Sequence, residues 1–404
     1  MTHKLKWKQF LFLAPLLLML LVFSFYPIVT SFVYSVFDYR TNDQQFNELR
    51  TKSAVNGELL AENTEYINFY LDDDYDYTDD AGRDAFDEIK KASSALSEKY
   101  ANKKELSAEE EDEIRNFIES SRKTINEIYE RAPEGDLIRG EDLNALLDNM
   151  ETVFIPSNYV GFDHYKRLLK DTRFFQDLKH TLIFTVISVA LELVLGMILA
   201  LIMNAAMRGI GLIRTAALVP WAIPTAVSAL MWQYLYDARS GIVAHFFASL
   251  GLISSPQAML STRGGAMAAA IIADVWKTTP YMALLLLAGL QVIDRSVYES
   301  AEVDGSGPVH SFFHITLPLM KPSILVALLF RTLDAFRVYD LIAVLTGGGP
   351  GGTTETLSIY SYKVMIEQSA YGYGSAIVVG MFICVAIIAT IFIKFLGADL
   401  LGDE

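Results

Sequence analysis

Long apolar runs alternate with polar stretches along this chain. The first run, Phe10 to Phe37, holds no charged residue in 28 positions. As a helix it would rise about 42 Å, more than the roughly 30 Å hydrocarbon core of a bilayer requires. Lys4, Lys6 and Lys8 precede it, as in a secretory signal. Signal apolar regions, however, run only about 7–15 residues before a small-residue cleavage site. Here the Tyr26-Pro27 break is followed by more apolar sequence, so the run reads as an uncleaved first span. Further spans are expected at roughly 181–206, 212–236, 266–290, 322–346 and 375–395, six in all. The expected fold is an all-α polytopic membrane protein with a helical extracytoplasmic insertion. It divides into a tail and first span (1–40), the insertion (41–165), and a core of five spans (166–404) that includes a polar loop at 291–321.

Composition supports a membrane chain: of 404 residues, 52% are hydrophobic and 20% charged, against about a quarter charged in soluble domains. The net charge of −15 is unevenly placed. Residues 41–165 hold 31 Asp and Glu against 13 Lys and Arg, a net of −18, which leaves 17 acids and 20 bases, +3, elsewhere. Neither part offers the basic face that a nucleic-acid partner would need. The short connection at Met207–Gly211 and the loop Gln291–Lys321 carry Arg208, Arg295 and Lys321, with Arg214 at the edge of the third span. The positive-inside rule places these and the N-terminus in the cytoplasm. Six spans then return the C-terminus there, beside Lys394, and put the acidic block outside.

Within that block, Ile89, Leu96, Tyr100, Leu106, Ile114, Phe117, Ile118, Ile125, Ile128 and Tyr129 fall at helical spacing, as in two amphipathic helices packed as a hairpin. The acidic run Asp72-Asp73-Asp74-Tyr75-Asp76, with Asp79 and Asp80, has Tyr77 and Arg83 where a calcium-binding EF-hand loop needs Gly and Glu. It reads as a solvated acidic loop. Cys384 sits in the last apolar run, where it reads as a small packing residue. His3, His164, His180, His245, His310 and His314 are scattered, without metal-ligand spacing.

The most informative stretch is the loop between the fourth and fifth expected spans, with Tyr298-Glu299-Ser300-Ala301-Glu302-Val303-Asp304-Gly305 and then Ile315-Thr316-Leu317-Pro318. It spends about thirty residues where a few would connect two spans. A short helix, a glycine break, a second segment opened by Pro308 and a proline before the next span would make a docking surface. Glu299, Glu302 and Asp304 would present charge to a partner, although Glu299 alone could simply be a helix N-terminal acid favoured by the macrodipole.

Glu299, Ser300, Ala301, Asp304, Gly305, Ile315, Leu317 and Pro318 resemble the Glu-Ala-Ala, Gly, Ile-x-Leu-Pro signature of permease subunits of ATP-binding-cassette (ABC) importers, with Ser300 replacing the first Ala. Phe312-Phe313-His314 around that signature, Leu218-Val219-Pro220-Trp221-Ala222-Ile223-Pro224, and Thr346-Gly347-Gly348-Gly349-Pro350 are similar to the MalF-type branch for maltose and related sugars. The resemblance covers about 162–396. It implies a MalG-like second permease, two cytoplasmic ATPases gripping a coupling helix at Glu299–Gly305, an extracytoplasmic solute-binding protein, and a sugar substrate. It also implies that ATP and Mg bind the partner ATPases and that this chain carries no cofactor. No Gly-x-x-x-x-Gly-Lys-Ser/Thr phosphate-binding motif occurs here, so this chain reads as a transport subunit and not an enzyme. The external insertion of maltose-type permeases is β-rich, whereas this one reads as helical.

Sugar-contacting positions of that type fall on Trp276, Tyr281, Arg331, Asp334, Ala335 and Val338. Aromatic rings suit the apolar face of a sugar, and Asp or Arg its hydroxyls. Packing roles for Trp276 and Tyr281 stay open, as they do for Trp221 and Trp232. In the fifth span Arg331, Asp334, Arg337 and Asp340 recur every third residue, either lining a path or forming structural ion pairs. Glu192, with no second acid expected at its depth, reads as a hydrogen-bonded structural acid in preference to a proton relay. A secondary transporter or channel that works alone would need buried acidic pairs or inverted repeats. A membrane-anchored receptor would need neither six spans nor the Glu-Ala-Ala loop.

Overall fold

The computed structural model describes residues 7–103, 105–133, 137–205 and 209–401. His3, Lys4, Lys6 and Arg208, which enter the orientation and metal arguments, lie outside the described residues. The chain forms two compact units, one of Val36–Phe162 and one of Met1–Ser35 with Asp163–Glu404.

In the second of these, four helices among the described residues are long and apolar enough to cross a membrane: Leu13–Tyr34, Thr172–Asn204, Arg263–Leu290 and Tyr371–Phe395. Two bent pairs, Ile210–Ala222 with Thr225–Leu235 and Pro308–Leu319 with Lys321–Phe336, raise the number to six if each pair counts as one span. The second span starts at the cap Asp171, whose carboxylate accepts from the Arg173 and Phe174 amides. It packs closely on the fourth span: a Cβ added to Gly196 would stand 2.8 Å from the side chain of Met282. In the first span a π turn at Leu21–Phe25 precedes Pro27, and the wider turn relieves the clash of the proline ring with the carbonyl four residues back.

Two spans differ from the straight helices expected. The third bends by 90° at Ile223-Pro224, because Pro224 forces Ile223 to extended backbone, φ −72° and ψ 133°. The fifth is helical only over Lys321–Phe336; the chain then breaks at Arg337 and resumes as Asp340–Leu345. The expected helix over 322–346 is thus two helices, and the charge ladder is divided between them. Arg331 and Asp334 do pair, at 3.0 Å. Arg337 instead donates to the Leu333 carbonyl, and Asp340 opens the next helix.

The unit Val36–Phe162 is mostly helical, as the acidic block's composition implies. The expected hairpin is present as Asp80–Tyr100 and Ala108–Arg131, the latter opened by a Ser107–Glu110 capping box. Two further helices, Gly57–Asp74 and Gly140–Met150, complete the core. Leu60, Ile67, Leu71, Phe86, Ile114, Ile125, Leu143 and Leu147 are fully buried in it. The two ends of the unit are stitched together. Ala54-Val55 pairs antiparallel with Phe154-Ile155, and Phe37 bridges Tyr159. Buried Asn158 donates to the Asp38 and Glu48 carbonyls and accepts the Arg50 amide.

The acidic run is exposed as its composition suggests, except at Asp74, but it is the end of one helix and the start of the next and not a loop. Asp72, Asp73 and Asp74 close the helix Gly57–Asp74. Asp72 meets Lys90 at 2.8 Å and Asp73 meets Arg139 at 2.8 Å. Asp74 is buried and accepts from the Tyr129 hydroxyl at 2.5 Å and the Arg139 amide at 2.9 Å. Asp79 caps the next helix through the Gly82 amide. The spacing of acids alone could not reveal these partners, which are brought in by packing from up to 66 residues away.

Replacing Asn158 by Ala would strand a buried amide and two carbonyls, so it should destabilise this unit by about 1–3 kcal/mol. Thermal unfolding of a 36–162 fragment with and without the substitution measures this. The same fragment should also lose stability in acid. The Lys103 ammonium, with help from the Ser107 amide, holds the Glu110 carboxyl down at about 2. Its contribution is therefore present above the ordinary Glu range and lost as pH falls from about 4.5 towards 2. Glu110→Gln should flatten that part of the pH profile.

Candidate functional site

The loop at 291–321 builds a short exposed helix on a rigid footing. Asp294 caps it, accepting the Ser296 amide at 2.8 Å, and the helix runs Arg295–Val303. Gly305 ends it at φ +81°. The Ser306 amide reaches back to the Ala301 carbonyl and the Gly305 amide to Glu302, the pair of bonds that defines a Schellman cap. Ser300 accepts the Asp304 amide through its carbonyl.

Ala301 faces inward, while Glu299, Ser300, Asp304 and Gly305 are exposed. Val303 is 88% exposed and Val309 73%, an apolar surface with nothing of this chain over it. The second segment starts at Pro308 and passes through a π turn, Phe312–Thr316, that includes half-buried Ile315 and gives Pro318 the room its ring needs. Leu317 and Pro318 then form a short turn ahead of the fifth span. The hydroxyls of Tyr298 and buried Thr316 share a hydrogen bond at 3.0 Å, and Ser306 shares one with Ser311. These two bonds lock the helix to the segment behind it. His310 and His314 stack here with ring centroids 3.9 Å apart. Among the described residues no group of three or more His, Cys, Asp or Glu is placed to hold a metal ion.

Within the spans the decisive feature is a buried charge cluster. Arg331, 1% exposed, donates from Nε to Glu192, from Nη2 to Glu192 and Asp274, and from Nη1 to Asp334. Thr278 adds its hydroxyl to Glu192 at 2.7 Å. The four charged groups come from the second, fourth and fifth spans, so one guanidinium joins three helices. Beside it Lys277 donates to the Ile223 carbonyl at 2.7 Å and the Trp221 carbonyl at 3.3 Å. These acceptors are freed by the 90° bend of the third span, and the ammonium caps them. A cavity of about 330 Å³ opens over the cluster, lined among others by Lys277, Arg331, Asp334, Ala335 and Val338.

Four of the six positions read as a solute path, Arg331, Asp334, Ala335 and Val338, thus line one cavity, with Ala335 nearly buried. Trp276 and Tyr281 do not line it. Trp276 packs edge-on against Trp232 at 5.7 Å, and Tyr281 stacks on Trp221 at 5.8 Å. Sequence reasoning missed Asp274 and Lys277. It also took Glu192 to lack a second acid, whereas Asp274 stands at its depth and shares Arg331 with it. Two charges three residues apart inside an apolar run were the available signal, since buried charges need partners.

Residues 192–401 match the family model of binding-protein-dependent transport system inner membrane components. The chain belongs to this family. It is 43% identical over 245 residues to the trehalose/maltose transport system permease protein MalF of Thermococcus litoralis, covering 60% of this chain and 82% of that one. The trehalose transport system permease protein SugA of Mycobacterium tuberculosis is 42% identical, with 61% and 78% covered. In structure the chain resembles a subunit of a bacterial ABC transporter for the acidic polysaccharide alginate, at TM-score 0.53 and 23% identity, covering 59% of this chain and 84% of that one. That likeness is one of fold. Both the exposed loop helix and the Arg331 cluster lie inside the matched region.

Arg331→Met would leave Glu192 and Asp274 buried without a counter-ion, at a cost of roughly 3–5 kcal/mol. The purified chain in detergent should unfold at lower temperature, and Glu192→Gln in the same background should restore part of the loss. Gly305→Ala meets open space but an unfavourable φ, so it should cost about 1–2 kcal/mol locally. Faster amide exchange at 300–306, with the spans unchanged, reads that effect.

Proposed function

We infer that the chain is the MalF-like half of a heterodimeric path through which a sugar or sugar-like solute, of the maltose, maltodextrin or trehalose kind, is imported. A MalG-like permease would form the other half. Two cytoplasmic ATPases, which bind the ATP and Mg, would grip the coupling helix, and an extracytoplasmic binding protein would deliver the solute. The observation that carries this reading is the capped, outward-facing helix Arg295–Val303, with Glu299, which pairs with Arg295 at 3.4 Å, and the apolar Val303 and Val309 exposed where a partner could meet them. The relatives named for trehalose and maltose transport support the solute class. Closure of the ATPases would press on this helix and, through the Tyr298–Thr316 bond, tilt the fifth span between two rigid-body states.

The basic residues Arg214, Arg295 and Lys321 favour cytoplasmic placement of the loops that hold them. The N- and C-termini would then be cytoplasmic and residues 41–165 extracytoplasmic, where they would contact the binding protein.

A second reading, a proton-coupled transporter working alone, gains from the buried acid pair Glu192 and Asp274. Both acids, however, are committed to Arg331.

The experiment is ATPase activity and uptake by the reconstituted complex with its binding protein, across maltodextrins, trehalose and glycerol phosphate. One solute should stimulate the parent, and Glu299→Lys with Gly305→Trp should abolish stimulation or assembly. Uptake without ATP hydrolysis, or normal coupling in the variant, would move the second reading ahead.

A further inference from the structure

Beyond the break at Phe336 the chain folds into a braced segment that supplies one wall of the cavity over Arg331. Val338, Tyr339, Asp340 and Leu341 line that wall. Thr356 donates its hydroxyl to the Val338 carbonyl at 3.2 Å, and the Thr346 and Thr354 hydroxyls share a hydrogen bond at 2.7 Å. The segment is tied to the second span at three points. Arg173 Nη2 donates to buried Glu355 at 2.8 Å, the Leu357 amide donates to the Thr181 hydroxyl at 3.0 Å, and the Tyr360 hydroxyl donates to Asp171 at 2.6 Å. Lys363 brings a second cation to Glu355 at 3.1 Å.

One acid buried at this junction lacks a donor. Asp177, 2% exposed, makes no hydrogen bond through Oδ2, and the buried Nδ1 of His180 makes none either. The two side chains stand 3.8 Å apart. Arg173 Nε is 4.0 Å from Asp177 Oδ2, so one guanidinium faces both Asp177 and Glu355 and is hydrogen-bonded to Glu355. The other charged groups that face Asp177 are Lys363 and Asp171. A bare carboxylate buried beside Glu355 without a donor would be costly. A single proton shared by Asp177 and His180 removes that cost, because the pair is then neutral whichever of the two carries it.

We propose that Arg173 and Glu355 form a latch that holds the cavity wall to the second span, and that the Asp177–His180 pair opens the latch by giving up its shared proton. The proton leaves to water through His180, whose side chain is 24% exposed. Asp177 is then an anion within a short turn of the Arg173 guanidinium, and it repels Glu355. Arg173 is drawn off Glu355, and the segment 346–356 loses its tie. The wall is firm at the pH where the pair keeps its proton and loosens as pH rises through its ionisation. Arg173, Glu355, Asp177 and His180 do not line the cavity, so they are positioning residues that act on a solute only through the wall. The latch does not depend on the sugar-import reading.

The test is amide hydrogen exchange over 346–357 in the full chain held in lipid nanodiscs, at about pH 6 and about pH 8.5, with each rate divided by that of the unstructured peptide at the same pH. Protection in the parent should fall at least fivefold at the higher pH. Asp177→Asn, isosteric and unable to ionise, should keep the acid level of protection at both. Arg173→Gln should show the weaker level at both, and His180→Gln should shift the midpoint of the parent's change. Exchange in Arg263–Leu290 should be the same in every variant, which separates loss of the latch from misfolding. Protection that does not change with pH in the parent, or that changes equally in Asp177→Asn, would overturn the proposal. The first of those results would assign the space between Asp177 and His180 to an internal water.

Discussion

A guanidinium buried among three membrane helices holds this transport core in register. Moving an arginine out of water is costly, and in a bilayer interior it survives when its charge is matched by carboxylates. Arg331 meets that condition by taking carboxylates from the second, fourth and fifth spans at once. Each of those helices is therefore fixed in rotation about its axis, because turning any one would strand a charge. Apolar packing around the cluster, through Met197, Met282, Ala283 and Leu286, supplies area but not direction. The cluster supplies direction.

A second constraint follows from proline. Pro224 breaks the third span, Pro318 closes the exposed loop, and in each place the backbone groups set loose are taken up. Lys277 covers the carbonyls at the bend, and the π turn Phe312–Thr316 accommodates the ring of Pro318. Breaks of this kind are stable in a membrane only where protein groups replace the lost helical bonds. The bent elements flank the cavity and the exposed loop helix.

The exposed loop helix was legible in part, since Gly305, Pro308 and Pro318 act through local backbone geometry that sequence spacing records, while its cap Asp294 was not read. The helical hairpin of the acidic block and most of the apolar runs were legible too. The bend in the third span and the break after Phe336 were not read, because apolar content reports burial in lipid and says little about direction. Asp274 and Lys277 were missed for a related reason: their partners, Arg331 and the Trp221 and Ile223 carbonyls, are 54 to 57 residues away. Within the acidic run of 72–80 the burial of Asp74 was not read, because its partners Tyr129 and the Arg139 amide arrive from segments whose approach only packing decides.

The stitching at Asn158 has a consequence for how such a chain acquires new parts. The backbone enters the acidic unit near Asp38 and leaves it near Asn158, and the two points are hydrogen-bonded neighbours, 2.8 Å from amide to carbonyl oxygen. To the chain on either side, the whole unit from 36 to 162 is equivalent to a tight turn. A segment that closes on itself in this way can be exchanged, enlarged or trimmed without changing the length of chain that the neighbouring helices must span. The seam, and not the helices it carries, is what selection on the transport core would act to preserve.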